Sequence, residues 1–257
     1  MSVYNTRITD YGYKEKVQKF SDEIEYDTNT FGTNKKRRKY ADMSDLAKEQ
    51  SDKRRVNYYK HKLHDVTEIA FMNTDLDTMI TLTFRNSVTS YDIAIEEWKL
   101  FAKRLQYYCK KTGKPELKYI ATWEYQKKRG NILHFHFLVN TGFIEHQTLE
   151  RIWGNGFVFI SKIGKSEQDR RKAIGYTLKY CLKEIMEEIQ NGDSRGKRYI
   201  FTSNNLEKPT VTKTLNSETI EDIIFQHMEQ ILSDGSYFMR DSKGRKVGTV
   251  DFVEYKK

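Results

Sequence analysis

The segment from Trp123 to Asn140, WEYQKKRGNILHFHFLVN, constrains the fold of this chain more than any other segment. Apolar and polar residues alternate on both sides of KKRGN, a short polar run that contains a glycine. Alternation with a period of two is typical of β-strands, and two such strands around a short turn predict a β-hairpin. The chain therefore contains an antiparallel sheet on which other elements must pack.

Two of the six histidines, His134 and His136, stand inside the second strand of this hairpin. Alternate side chains of a strand point to the same face, so the two imidazoles lie together. The neighbouring Leu133, Phe135 and Phe137 point to the opposite face and suit a hydrophobic core. The alternative interpretation is that the histidines are polar residues on a half-exposed strand.

The register of the hairpin adds a carboxylate to the face that carries the histidines. If the turn is centred on Arg129, Glu124 lies opposite His134 and Thr122 lies opposite His136. Two imidazoles and one carboxylate form a ligand set that suits Mg²⁺ or Mn²⁺. Two alternatives stay open: Glu124 pairs with a surface lysine or arginine, or the turn shifts by one residue and moves these partners.

A second candidate element is the segment RRKAIGYTLKYCLKEIMEEI, which shows helical periodicity. At 100° per residue its apolar residues form one stripe: Ile174, Leu178, Cys181, Ile185 and Ile189. Tyr176, Tyr180 and Lys183 form a stripe on roughly the opposite side, and Lys179 flanks it. A tyrosine hydroxyl has a pKa near ~10, so it becomes a nucleophile only where a cation or a metal stabilises its phenolate. The alternative is that these are amphipathic tyrosines and solvated lysines.

The remaining patterns predict an α+β fold. From about Thr78 onward the predicted order is β-α-β-β-(α)-β-α-β, which indicates an antiparallel central sheet with helices on both faces, of ferredoxin-like type. Thr89 and Asp92 resemble a capping box at the start of the first of these helices. A helix near 217–233 and a final hairpin that turns at Ser242-Lys243-Gly244 follow.

These elements divide the chain into three predicted parts. Residues 1–68 form a basic N-terminal extension that is partly helical or flexible. Its runs KKRRK and KRRVNYYKHK are either solvated or an arm that contacts phosphates. Residues 69–215 form the domain with the histidine strand and the tyrosine helix. Residues 216–257 are expected to pack on that domain and to cover the apolar stripe of the tyrosine helix, with the N-terminal region or a dimer partner as alternatives.

Composition narrows the class of partner and the compartment. The formal net charge of +9 indicates a polyanionic partner. No apolar run approaches the ~20 residues that span a bilayer, and the polar N-terminus does not resemble a signal peptide, so no membrane partner is expected. Cys109 and Cys181 fall in helical patterns and are interpreted as reduced, which is consistent with a cytoplasm.

Three motifs together resemble the HUH endonucleases, the rolling-circle replication initiators (Rep proteins) of plasmids and single-stranded DNA phages. They are TLTF at Thr81–Phe84, HFH at His134–His136 with Glu124 upstream, and YTLKY at Tyr176–Tyr180. Each motif is short, but the ordered set is more specific. The resemblance covers roughly residues 75–212 and implies that 69–215 is an HUH endonuclease domain of the two-tyrosine type.

The resemblance implies a metal-dependent nicking and joining of single-stranded DNA at a replication origin. His134, His136 and Glu124 are then the ligands of Mg²⁺ or Mn²⁺, and Tyr176 forms a 5′-phosphotyrosine while a 3′-hydroxyl is released. Tyr180 acts as a second nucleophile, and Lys179 and Lys183 stabilise the phosphate charge. A host helicase and a polymerase are the implied partners in a bacterial cytoplasm. The oligomeric state stays open.

Basic residues near the two motifs are candidate contacts to the DNA backbone. They are Lys127, Lys128, Arg129, Arg170 and Arg171. Trp153 is a candidate for stacking on a base or, alternatively, for core packing. Rival functions stay open: a transposase or relaxase with the same chemistry, a nucleic-acid-binding module without catalysis, and an inactive relative that regulates DNA.

Overall fold

The computed structural model describes residues 2–26, 39–127, 130–191, 196–241 and 245–257. Within them the strands are, in chain order, β1 (Ser2–Asp10), β2 (Lys14–Tyr26), β3 (Thr78–Thr83), β4 (Tyr119–Gln126), β5 (Ile132–Val139), β6 (Val158–Lys162), β7 (Ile200–Thr202), β8 (Thr210–Thr214), β9 (Ile231–Arg240) and β10 (Lys246–Lys256). The α-helices are α1 (Asp45–Met72), α2 (Tyr91–Lys111), α3 (His146–Trp153), α4 (Glu167–Gln190) and α5 (Ile220–Gln226). In the described part of the chain, none of these helices carries a segment long and apolar enough to cross a membrane.

The chain divides into two compact units. The central unit is Arg38–Glu207, and the terminal unit consists of Lys208–Lys257 together with the described residues of Met1–Arg37. This division differs from the predicted boundaries after residues 68 and 215. The reason is that α1 packs within the central unit, whereas β8 joins the sheet that the two ends of the chain build.

The central unit contains an antiparallel sheet with the strand order β6-β3-β5-β4-β7. One face packs on α2, where Trp98 stacks on Phe135 and Phe137 at ring-centroid distances of 6.3 and 6.1 Å. The other face packs on α4, which contacts β4 and β5. The prediction of an α+β fold with an antiparallel central sheet and helices on both faces is confirmed.

Helix α2 confirms its predicted buried stripe, which includes Ile95, Trp98 and Leu105. The predicted capping box of Thr89 and Asp92 is wrong. The N-cap is Ser90, and its side chain makes no capping hydrogen bond. With the helix starting one residue later than predicted, Asp92 occupies the second helical position, from which it cannot complete a capping box with Thr89.

The terminal unit is built on a second antiparallel sheet, with the order β8-β1-β2-β10-β9. Strand β2 pairs with β10, so the N-terminal segment forms strands where the sequence predicted a helical or flexible extension. The helix predicted near 217–233 is shorter, because α5 ends at Gln226 and β9 begins at Ile231. The predicted final hairpin is present as β9 and β10, and its turn at 242–244 lies outside the described residues.

The apolar stripe of α4 is buried as predicted, but the element that covers it is not the C-terminal helix. Ile174, Leu178 and Ile185 share one core with Leu63 and Val66 of α1, and α1 packs directly on α4. The apolar residues of α5 belong to a separate core in the terminal unit. Helix α1 therefore fulfils the role that the sequence interpretation preferred to give to the C-terminal helix.

Candidate active site

The two histidines of β5 lie on the face of the central sheet that α4 covers. Strand β4 pairs with β5 so that Glu124 lies opposite His134 and Thr122 opposite His136, which confirms the predicted register of the hairpin. His134 and His136 are 6% and 2% exposed. Both are therefore buried, and the alternative of a half-exposed strand does not describe them.

His136 is held between two side chains from neighbouring strands. Its Nε2 lies 3.0 Å from Oε1 of Glu124 on β4, and its Nδ1 lies 3.2 Å from Oγ1 of Thr81 on β3. Thr81 reaches the imidazole because β3 pairs with β5 and sets Thr81 opposite His136. A ring with a partner on each nitrogen is fixed in orientation, as the ring of a metal-ligating histidine must be.

Helix α4 is attached to β4 by two hydrogen bonds that flank Glu124. The hydroxyl of Thr122 donates to the carbonyl oxygen of Thr177 at 2.7 Å, and the backbone N–H of Tyr125 donates to Oε2 of Glu184 at 3.3 Å. Thr177 and Glu184 are both buried. These contacts fix the helix above the histidine face and set the height at which its tyrosines lie.

Tyr176 lies at the histidine face. Its ring centroid is 5.6 Å from that of His136, and the two rings are nearly perpendicular, at 88°. The tyrosine is 45% exposed, so a substrate can approach it from solvent. Tyr180 lies one turn further along α4, but its side chain is outside the described residues.

The two lysines predicted to act with the tyrosines lie on the exposed surface of α4. Lys179 is exposed. Lys183 is also exposed, with its Nζ 3.9 Å from Oε1 of Glu187, four residues further along the helix. An exposed pair at this distance holds the lysine weakly, so its ammonium group can turn to another anion.

A cavity of about 310 Å³ opens beside Glu124, between β4 and the C-terminal half of α4. Its charged lining consists of Glu124, Lys127, Lys183, Glu184 and Glu187. Burial raises the pKa of the Glu184 carboxyl, and the charges of Glu188 and Glu187 raise it further. The cavity therefore combines carboxylates with two lysines at the edge of the histidine face.

The predicted DNA contacts have different surroundings in the structure. Lys127 forms an ion pair with Glu187, which raises the pKa of the lysine. Arg171 is exposed and pairs with Glu167 at 2.6 Å. Lys128 and Arg129 lie outside the described residues.

Arg170 serves the fold. Its guanidinium donates to the backbone carbonyl oxygens of Ala70, Asn73 and Thr74 at 2.9, 3.2 and 3.0 Å, at the C-terminal end of α1. Trp153 is fully buried, and its indole N–H donates to the carbonyl oxygen of Thr83 at 2.9 Å. Trp153 is thus a core residue, which was one of its two predicted roles.

The donors of the histidine face were tested for their fit to a metal ion. Across the described ranges, no group of three or more His, Cys, Asp or Glu side chains stands ready to hold an ion. Two of the predicted ligands nevertheless touch, since Glu124 Oε1 and His136 Nε2 are 3.0 Å apart. Two donors that each bind one octahedral Mg²⁺ at ~2.1 Å lie about 3 Å apart, so this pair is compatible with a shared ion.

Sequence reasoning missed two residues of the site. Thr81 was recognised only as part of a motif, because its contact with His136 depends on the pairing of β3 with β5, which are far apart in the chain. Glu184 received no role, although it is only 6% exposed. Its position ten residues after Ile174 puts it beside the tyrosine stripe of the helix, and that position was the available signal.

Comparison with known proteins identifies one similarity. Residues 77–185, which contain the histidine strand and Tyr176, match the family model of the replication-associated protein ORF2. Neither the curated proteins nor the solved structures contain a significant match to the chain. Over residues 77–185 the chain is therefore similar to replication-associated proteins, and the match supports an association with DNA replication.

Proposed function

We propose that this protein initiates rolling-circle replication by cutting and rejoining single-stranded DNA through a phosphotyrosine of the HUH type. The observation that carries the proposal is the position of Tyr176, whose ring lies 5.6 Å from the ring of His136. A hydroxyl nucleophile thus stands beside the pair His136–Glu124, which can bind a divalent cation. The match over residues 77–185 favours replication over transposition or conjugation as the task.

The proposed reaction is a transesterification. The hydroxyl oxygen of Tyr176 attacks the scissile phosphorus, and the bond from phosphorus to the 3′ oxygen breaks. The products are a 5′-phosphotyrosine and a free 3′-hydroxyl, and the phenolic proton is balanced by the proton that the 3′ oxygen takes up. The free 3′-hydroxyl can then prime DNA synthesis.

His134, His136 and Glu124 would hold the divalent metal, Mg²⁺ or Mn²⁺, which supplies Lewis-acid polarisation of the phosphate when it is bound. To act as a ligand, His136 must present an Nε2 without hydrogen. Nδ1 then carries the proton and donates it to Thr81 Oγ1, which lies 3.2 Å away. Thr81 therefore selects the tautomer that the proposed metal requires.

The neighbouring residues of α4 have supporting roles in the proposal. Lys179 and Lys183 lie within one and two helical turns of Tyr176, and their ammonium groups favour the phosphate. Tyr180 is the second nucleophile, which takes over the DNA strand in the joining step. Single-stranded DNA is the substrate because a phosphate within a duplex does not easily reach the face of a sheet.

The experiment is a selection for covalent complexes. Purified protein is incubated with labelled, randomised single-stranded DNA and Mn²⁺, and complexes that resist detergent are recovered and sequenced. We expect adducts with a common sequence for the natural chain, and none for Tyr176→Phe, His134→Ala or His136→Ala. Glu124→Ala is expected to need more Mn²⁺. Absence of adducts from the natural chain at all Mn²⁺ concentrations would refute the proposal.

A further inference from the structure

We propose that Phe157 and Phe159 form a stacking platform for two bases of the single-stranded DNA that flanks the scissile phosphate. The inference rests on the proposed function, since it concerns how the same site holds its substrate. It starts from exposure: Phe157 and Phe159 are 52% and 64% exposed. Val158 between them is 2% exposed and belongs to the core, so the two rings stand on the outer face by strand alternation.

The platform lies on the same face of the sheet as the histidines. Thr81 pairs with Phe159 on one side and with His136 on the other, so these three residues form one row across β6, β3 and β5. Thr83 is the partner of His134, and its backbone N–H donates to the carbonyl oxygen of Phe157 at 3.0 Å, which forms the second row. Two strand spacings, about 9–10 Å, separate the ends of each row.

Gly156 allows β6 to start at this place. A Cβ atom at this residue would lie 2.2 Å from the carbonyl oxygen of Thr83 and 2.5 Å from the backbone nitrogen of Arg85. Only glycine permits so close an approach of the two backbones. The glycine therefore sets the first ring of the platform against the end of β3, next to the row of His134.

Basic residues lie at both ends of the platform. Phe157 lines a cleft of about 730 Å³ with Arg85 and Arg151, in which Glu145 and Glu150 also take part. At the other end, Ser161 follows two residues after Phe159 and lines a cavity of about 290 Å³. That cavity also contains Lys162, Lys172, Asp169 and Tyr176, so the surface leads from the platform to the proposed nucleophile.

The occupant that fits this surface is single-stranded nucleic acid. Successive outward residues of a strand are about 6.6 Å apart, so the two rings can each take one base of an extended chain. Arginines and lysines at the ends suit the phosphates, and the formal net charge of +9 favours a polyanion. The path from the rings to Tyr176 is continuous with the proposed catalytic site, which gives the bound strand a reason to be there.

The test measures DNA binding without cleavage. Full-length protein in a buffer with chelator is titrated into fluorescein-labelled oligothymidylate of about 20 nucleotides, and Kd is obtained from anisotropy. We expect Phe157→Ala and Phe159→Ala each to raise Kd by roughly 5- to 150-fold, the range for loss of one base stack. Phe159→Trp is expected to restore binding. Phe143→Ala is the matched control: Phe143 is 88% exposed, and its carbonyl oxygen accepts a hydrogen bond from Lys114, which follows α2 on the opposite face.

A second oligonucleotide of the same length, with abasic residues except at its ends, separates stacking from charge. We expect the alanine variants to bind it as the natural chain does, within about twofold. An unchanged Kd of both variants for oligothymidylate would overturn the inference, as would an equal loss on the abasic strand. A change only in sedimentation would mean that the rings contact protein, and it would also overturn the inference. The adduct selection is scored separately, so loss of one proposal leaves the other standing.

Discussion

His136 depends on one hydroxyl for its orientation. Thr81 Oγ1 and Glu124 Oε1 lie on opposite nitrogens of the ring, at 3.2 and 3.0 Å. Because the imidazole is 2% exposed, water does not easily replace either partner. The partner that does not touch the metal therefore controls the ring as much as the carboxylate does.

The first prediction concerns that hydroxyl. Thr81→Val keeps the shape of the side chain but removes the partner of His136 Nδ1. We expect the Mn²⁺ concentration for half-maximal adduct formation to rise about 10- to 100-fold, the range for loss of such a partner. The matched control is Thr210→Val, which changes an exposed threonine of β8 in the terminal unit. Equal Mn²⁺ curves for Thr81→Val and the control would remove Thr81 from the site.

The second prediction concerns pH. The folded-state pKa of Glu184 is raised above 4.5 by burial and by neighbouring carboxylates. Above pH 4.5 the unfolded chain therefore holds fewer protons at this residue than the folded chain, and stability falls as the pH rises through the folded pKa. Glu184→Gln can still accept the hydrogen bond from Tyr125, so we expect a Tm above that of the natural chain at about pH 7.

The check is thermal unfolding of both proteins from about pH 4 to about pH 8. The gain of Glu184→Gln is expected to shrink as the pH falls toward 4.5, because the natural glutamate is then increasingly neutral in both states. Glu187→Gln serves as a control, since Glu187 is more exposed and its carboxylate holds Lys127. A Glu184→Gln variant that is less stable than the natural chain at neutral pH would contradict this reasoning.

At the scale of elements, the sequence predicted whatever depends on local pattern. The β4–β5 hairpin followed from alternation around one short turn, and its register brought Glu124 and His134 together. The buried stripe of α4 followed from helical periodicity and held for Ile174 through Ile189. Each of these patterns lies within a short stretch of sequence, so no distant partner was needed.

Long-range pairing was outside the reach of the sequence. Strand β2 pairs with β10, where Val17 lies opposite Val253 although the two residues stand near opposite ends of the chain. Both segments are polar on average, and only the shared sheet gives Val17 and Val253 a core. Likewise, α1 carries few apolar residues, and its role as the cover of α4 depends on Leu63, Val66 and Ala70, which occur in a charged sequence.

The third prediction tests the packing of α1 on α4. Ile185 is fully buried, so Ile185→Ala is expected to lower the free energy of unfolding by about 2–5 kcal/mol. Met186 is its control: it is the next residue of α4 and 37% exposed, so Met186→Ala is expected to cost much less. Denaturant titration of both variants measures the difference. Similar losses in the two variants would contradict the burial of the stripe.

At the scale of the whole molecule, charge provides the fourth prediction. The formal net charge is +9, and contacts to phosphates release counterions from single-stranded DNA. If about six phosphates are contacted, raising the salt from about 50 to 200 mM is expected to weaken binding roughly 300-fold. Anisotropy titrations with oligothymidylate at several salt concentrations measure the slope. An affinity that does not change with salt would exclude a phosphate-dominated interface.

The central claim is that Tyr176 is the nucleophile of the first cleavage, and peptide mapping of the covalent adduct tests it most directly. Trypsin cuts after Lys172, Lys179 and Lys183, so Tyr176 and Tyr180 fall on the separate peptides AIGYTLK and YCLK. We expect mass spectrometry to find the nucleotide on AIGYTLK in the natural chain and in Tyr180→Phe, and no adduct in Tyr176→Phe. A nucleotide found on YCLK alone, or an adduct that survives Tyr176→Phe, would contradict the claim.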